Sequence, residues 1–332
     1  MRSRRETLAL IGATAVAAGS GGPAEAAGAG PGPVLSLVSR HLQWTDVETG
    51  IEVARAAGFP GIAWTVRPGA HIEPANVEKE LPRVVELSRK AGLETPMVIT
   101  GISDAASPRA EAILATMQGL GLRRYRAGSV RYDYTRELGP QFDAYRAKLE
   151  GLTALSARYG ATAMIHTHSY ANTIGGSAWD LWMLLRDLDP RHIGLNYDIG
   201  HVMAKGGAGW MESARAANRH IHALSVKDFL WRRTPDAQEG QWPWRTEFVP
   251  PGEGMVNFPD VFRYFRSIDF RGPIETYYEY KVPLPNGAQM DMLGTDYGKW
   301  KLEIPRSQFL AYLKRDVDFY KRSLREAGFD IV

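Results

Sequence analysis

The chain has 332 residues, 44% hydrophobic and 23% charged, with a formal net charge of +3. That balance excludes a disordered or fibrous chain, and so small and dispersed a charge excludes a nucleic-acid groove. Cysteine is absent, which excludes disulfides, thiolate metal sites and a cysteine nucleophile.

The chain begins Met1-Arg2-Ser3-Arg4-Arg5-Glu6-Thr7-Leu8, followed by an apolar run from Ala9 to Ala18 and then Ala24-Glu25-Ala26. A basic start, a short apolar core and a small-residue cleavage site have the layout of a secretory signal. Ser3-Arg4-Arg5 is of the twin-arginine type, used for export of folded proteins. Residues 1–30 are therefore expected to be a cleaved leader and linker, with the domain over 31–332 and the protein exported, to the periplasm. The apolar run is too short for a membrane span, and no other stretch reaches that length.

From Pro33 on, short apolar runs alternate with helical patterns. Val34–Ser39 reads as the first strand. Asp46 then caps a helix in which Val47, Ile51, Ala54 and Ala57 recur at helical spacing, stopped by Gly58. Gly61–Val66 is the second strand, Pro74 to Lys90 a helix, and Pro96–Thr100 the third strand. Ser107-Pro108 opens a helix running to Gln118, with proline at the favoured first position. Leu122–Ala127 is the fourth strand, Phe142 to Tyr159 a long helix, and Thr162–His168 the fifth strand. Ser177 to Leu188 is helical and His192–Asp198 is the sixth strand. Trp210 to Asn218 is helical and Ile221–Lys227 the seventh strand. Phe258 to Ser267 is helical, Pro273–Tyr280 the eighth strand, and Arg306 to Ala327 the last helix. Eight strands each followed by a helix predict an α/β fold, a single (β/α)8 TIM barrel. A doubly wound open sheet ranks second, since no Gly-x-Gly-x-x-Gly turn follows the first strand. The long connections Phe229–Asn257 and Lys281–Pro305 follow strands seven and eight, where lids or binding walls belong.

Barrel chemistry sits at the C-terminal strand ends. There the chain places Ser39-Arg40-His41 and Trp44, then Trp64, Arg67 and His71, then Tyr125-Arg126, then His166-Thr167-His168. Asp198 and His201, Lys227-Asp228, and Glu275 with Glu279 complete the set. Strand alternation gives His166 and His168 a shared face, and likewise Glu275 and Glu279. Taken singly, a strand-end histidine is more often structural, and Asp198 serves equally well as a helix cap.

Four segments in order, Tyr197-Asp198-Ile199-Gly200-His201, Val226-Lys227-Asp228, Pro251-Gly252-Glu253-Gly254-Met255-Val256 and Gly272-Pro273-Ile274 with Glu279-Tyr280, resemble the sugar phosphate isomerase/epimerase family, the xylose isomerase-like TIM barrels. The resemblance covers essentially the whole mature chain. It implies a divalent ion (Mn, Mg, Co or Zn) held by a Glu on strand five, an Asp on strand six, a His on strand seven and a Glu on strand eight. The Asp carries over to Asp198, with His201 as its companion, and the last Glu to Glu279. The strand-five Glu falls on His166 and the strand-seven His on Ser225, so the implied metal set becomes His166, Asp198, His201 and Glu279, or these with His168 joining.

Such barrels abstract a proton beside a carbonyl and stabilise the enediolate that results. The expected machinery is Glu279 and His168 as bases, and a metal, or Lys227 with Arg126, as electrophile. Arg126, Glu253, Trp64 and Trp231 are expected against the sugar, with Trp44 and Trp179 as further stacking candidates. The expected partner is a small carbohydrate, in a chain that could assemble with copies of itself. Export favours a free or oxidised sugar or a glycoside over a sugar phosphate. The reaction expected first is isomerisation or epimerisation; next comes β-elimination from a 3-keto-glycoside. A carbohydrate-binding protein with a decayed metal site is the reading from another class.

Overall fold

The structure, a computed structural model, describes residues 32–234, 243–294 and 298–331. The leader expected over residues 1–30 lies outside the described residues.

Eight parallel strands close into a barrel: β1 (Leu35–Val38), β2 (Gly61–Val66), β3 (Val98–Thr100), β4 (Arg124–Arg126), β5 (Thr162–His166), β6 (Ile193–Asp198), β7 (Ile221–Val226) and β10 (Ile274–Thr276). β1 pairs with β2 on one side and β10 on the other, which closes the ring and rules out the open sheet. The helices are α1 (Val47–Ala57), α2 (Val77–Lys90), α3 (Ala110–Gly119), α4 (Leu138–Arg158), α5 (Ala178–Leu185), α6 (Ile199–Gly206), α7 (Trp210–Ala217), α8 (Phe258–Ser267) and α9 (Arg306–Glu326). Local chemistry sets several of their ends. Asp46 accepts the Thr49 N–H at 2.7 Å to start α1, and Gly58 stops it at φ 93°, where a side chain would be strained.

Two cores result. Val38, Ala63, Met97, Ile99, Met164 and Ala223 fill the barrel interior, while the strands' outward faces pack under the helices. Among the described residues no helix is long and apolar enough to cross a membrane.

Three features depart from the expected pattern. β5 stops at His166 and β10 spans only Ile274–Thr276; beyond them single backbone bonds continue, Thr167 N–H to Asn196 O at 3.3 Å and Tyr277 N–H to Val226 O at 3.1 Å. Pro108 sits before α3 rather than inside it, and Arg109 takes a left-handed φ of 63°. α6 starts directly after β6 with no loop, so its eight residues were hidden behind the Asp-Ile-Gly-His step.

The two long connections each hold a hairpin: β8 (Asp228–Arg233) with β9 (Trp244–Val249), and β11 (Lys281–Pro283) with β12 (Gln289–Asp291). Asp228 anchors the return from the first hairpin. Its carboxylate accepts the backbone N–H groups of Phe229, Gly252, Gly254 and Val256 at 2.9–3.1 Å. A Cβ on Gly254 would lie 2.1 Å from Asp228 Oδ1, and Gly252 has φ 88°, so both glycines are required by this embrace. Asp228→Ala strands four backbone donors, those of Phe229 and Val256 buried. It is expected to cost about 3 kcal/mol or more, read as a lower urea midpoint at unchanged slope. A midpoint within error of wild type would show that the loop holds itself.

Candidate active site

β5, β6, β7 and β10 deliver the functional side chains. Asp198, the last residue of β6, is fully buried and serves both uses open to it. Its Oδ1 accepts the His201 N–H at 2.9 Å and caps α6. Its Oδ2 faces His166 Nε2 at 3.3 Å and Lys227 Nζ at 3.2 Å. The cap thus fixes the rotamer that aims the second oxygen into the site.

Lys227 is the centre of this cluster. Its side chain is 2% exposed. The ammonium donates to Glu279 Oε1 at 2.7 Å and to His201 Nε2 at 2.9 Å. The rings of Tyr277 and Phe248 enclose it, with centroids 4.8 and 5.0 Å from Nζ. Because an ammonium only donates, His201 Nε2 holds a lone pair there and Nδ1 carries the proton, donated to Ser169 Oγ at 2.9 Å. Burial, then Lys227, holds His201 well below the usual histidine range.

In front of this cluster lies a pocket of about 60 Å³ lined by Arg40, Arg67, Arg126, His166, His168, Tyr170, Tyr277 and Glu279, with Thr65, Ile99 and Leu293 among its other walls. Lys227 stands one layer behind, covered by Glu279 and Tyr277. Arg126 bonds the Tyr277 hydroxyl, and its Nη2 donates to His168 Nε2 at 3.4 Å. Burial first, then Arg126 and Lys227, push His168 to about 2, so its ring is neutral at any working pH. With Nε2 accepting from Arg126, the proton sits on Nδ1, which has no hydrogen-bond partner among the described residues. His166 is held low by burial and by Arg126, and its Nδ1 also has no partner there. Deeper still, Glu275 Oε2 accepts from Asn196 Nδ2 and from Ser225 Oγ at 2.9 Å. Burial raises the Glu275 carboxyl above the usual carboxylate range.

The structure thus gathers His166, His168, Asp198, His201, Lys227, Glu279 and Arg126. Other candidates lie elsewhere. Trp64 is fully buried and donates Nε1–H to Ser88 Oγ at 3.0 Å, towards α2 and away from the pocket. Trp231 sits on β8 against Phe229, Trp44 packs edge-on to Phe309, and Trp179 is exposed on α5. His41 is structural: Nδ1–H donates to Met292 O at 3.1 Å and Nε2 accepts the Tyr278 N–H at 3.3 Å. Glu253 borders a separate outer groove of about 670 Å³, with Arg232, Arg245 and Lys281, and Glu279 borders both spaces.

Tyr277 and Phe248 were missed by sequence reasoning. Alternation from Glu275 and Glu279 marks Tyr277 as inward-facing, whereas Phe248 arrives from the far strand of a hairpin with no local signal.

Whether the residues suit a divalent ion depends on the set chosen. The quartet His166, Asp198, His201 and Glu279 does not fit: three of its members already turn their donor atoms onto Lys227 Nζ. His166, His168 and His201 form another group, one nitrogen from each lying within 4.8 Å of the others, which could hold a metal ion. Both nitrogens of His201 are engaged, by Lys227 and Ser169, so an ion there must displace one of them.

A family described as xylose isomerase-like TIM barrel matches residues 51–293. The rhizopine catabolism protein MocC of Rhizobium meliloti is 28% identical over 141 residues, 40% of this chain and 42% of that protein. An inosose dehydratase of Bacillus velezensis is 24% identical over 164 residues, 47% of this chain and 53% of that protein. The chain thus spans about half the length of the curated relatives it matches. Among solved structures, a 3-keto-D-glucoside 4-epimerase from E. coli superposes with a TM-score of 0.58 at 12% identity, covering 86% of this chain and 99% of the other. At that identity the likeness concerns the fold.

Proposed function

The chain belongs to the xylose isomerase-like TIM barrel family, and we propose that within it this protein is an enzyme that abstracts a proton beside a carbonyl of a sugar or sugar derivative. The observation that carries this reading is the pairing of Glu279 with Lys227: one carboxylate oxygen is tied to a buried ammonium at 2.7 Å while the residue borders the pocket. A base so oriented meets the first requirement of enolisation. The second, donors for the enediolate oxygens, falls to Arg126 and to the Nδ1–H of His168. A histidine held neutral is a poor base but a good hydrogen-bond donor, as in other enolising enzymes. His168 is therefore proposed as an electrophile rather than a second base.

The outer groove extends from Glu279 between the two hairpins, which favours a substrate longer than one ring, such as an oxidised glycoside. Once the proton is removed, it can return elsewhere, giving isomerisation or epimerisation, or a neighbouring group can leave. The name of the Bacillus velezensis relative, a dehydratase, favours this elimination as the second reading. The basic, apolar amino-terminal segment supports export, and we place the reaction in the periplasm.

Incubating the purified protein with ketoses and keto-glycosides in deuterated water tests the reading. Deuterium is expected beside the carbonyl of at least one of them, with an epimer or an eliminated product separating the two outcomes. Binding of a sugar with no exchange in any of them would mark a carbohydrate-binding protein instead.

A further inference from the structure

We propose that the ammonium of Lys227 stands where the divalent ion of this kind of barrel would stand, so that the site carries its cation covalently and needs no bound metal. Three observations support this. Nζ is the point on which Glu279 Oε1 (2.7 Å), His201 Nε2 (2.9 Å) and Asp198 Oδ2 (3.2 Å) converge. These are three of the four groups assigned to a metal by the family resemblance: Glu279 and His201 accept hydrogen bonds from the ammonium, and Asp198 Oδ2 faces it at ion-pair distance. The shell has hydrogen-bond radius: metal–oxygen and metal–nitrogen bonds would be about 2.0–2.2 Å, so every donor would have to move inward after the lysine had left.

The two departures from the metal pattern point the same way. His166 and Ser225 remove a carboxylate and an imidazole from the set, which suits a single positive charge better than a double one. Ser225 Oγ is turned to Asn196 and Glu275 at 2.7 and 2.9 Å rather than to the cluster.

The lysine's path is also built in. A Cβ on Gly200 would lie 2.5 Å from Lys227 Cγ and 2.8 Å from its carbonyl oxygen, so the glycine of the Asp-Ile-Gly-His step opens the space through which the stem passes. Two aromatic faces then close over the charge. Lys227 does not line the pocket; it is a positioning residue, tying one oxygen of Glu279 and leaving Oε2, which lies 3.5 Å from the Tyr170 hydroxyl, towards the pocket.

Cobalt(II) alone, titrated into the full chain and into Lys227→Met and followed by its visible absorption, tests this, with metal content of both proteins measured by mass spectrometry. Methionine keeps the apolar stem and removes the charge. Wild type is expected to hold less than about one ion per ten chains, whereas the variant should bind cobalt at least about tenfold tighter. One ion per wild-type chain, or a folded variant that binds no better than wild type, overturns the proposal. If circular dichroism shows the variant unfolded, the wild-type titration decides alone. The proposal shares its site with the reaction above, but metal occupancy is read without substrate, so failure of one leaves the other standing.

Discussion

Glu279→Gln is expected to slow deuterium exchange into substrate by about 10²–10⁴-fold, the usual contribution of a positioned general base. The substitution is close to isosteric, and the amide oxygen can still accept from Lys227 Nζ, which Glu279 Oε1 now meets at 2.7 Å. What disappears is the negative, proton-accepting oxygen beside Tyr170. The loss should therefore fall on kcat, with KM within a few-fold of wild type, because the arginines of the pocket are untouched. One cost is structural. The buried ammonium loses one of its two carboxylate partners and keeps Asp198. Removing a partner from a buried ion pair is destabilising, so the melting temperature should drop while the circular dichroism spectrum at 25 °C stays native. Exchange at the wild-type rate would take Glu279 out of the mechanism and move attention to His166, whose Nδ1 has no partner among the described residues.

Much of this architecture was legible because period and punctuation repeat. Capping residues such as Asp46 and stops such as Gly58 act within a few residues, and each strand–helix alternation follows the last with the same logic. Asp198, His166 and Lys227 could be placed at strand ends for the same reason. What the sequence could not show is where side chains converge. Trp64 looked like a sugar platform because tryptophan at a strand end suits one, yet β2 alternation turns it outward while Thr65 faces the pocket. Choosing between those two faces needs the register of β2 against its neighbours, which is set by barrel closure and not by local pattern. The Lys227–Glu279 bond joins residues 52 positions apart, and Phe248 closes over it from a hairpin return. Lys227 and Asp228 are neighbours in the sequence. In the fold the two side chains part, the lysine entering the site and the aspartate gathering the Gly252–Val256 loop.

Lowering the pH from 7 to 4.5 is expected to remove at least about 5 kcal/mol of stability, the share of two histidines outside the pocket. Burial pushes His41 down to about 3 and His222 to about 4, from an ordinary value of 6.5. In both, a ring nitrogen is already bonded to a backbone carbonyl, Met292 O for His41 and Pro190 O for His222, so the neutral ring is held in place. The sign follows from which state takes the proton. Below about pH 6.5 the unfolded chain protonates both rings and the folded chain neither, so unfolding becomes easier as pH falls. Each histidine contributes about 1.4 kcal/mol per pH unit, and its slope vanishes only once pH passes its folded value, about 3 or 4. Two units for two groups give the figure stated, a large share of the 5–15 kcal/mol typical of a domain. Urea unfolding at pH 7.0, 6.0, 5.0 and 4.5 measures it, and a His41→Gln chain, less stable at pH 7, should lose stability with acid more gently by about one proton's slope. A midpoint that does not move between pH 7 and 5 would mean that both rings accept their protons inside the fold, which the His41 bond to the Tyr278 N–H forbids as long as that bond is intact.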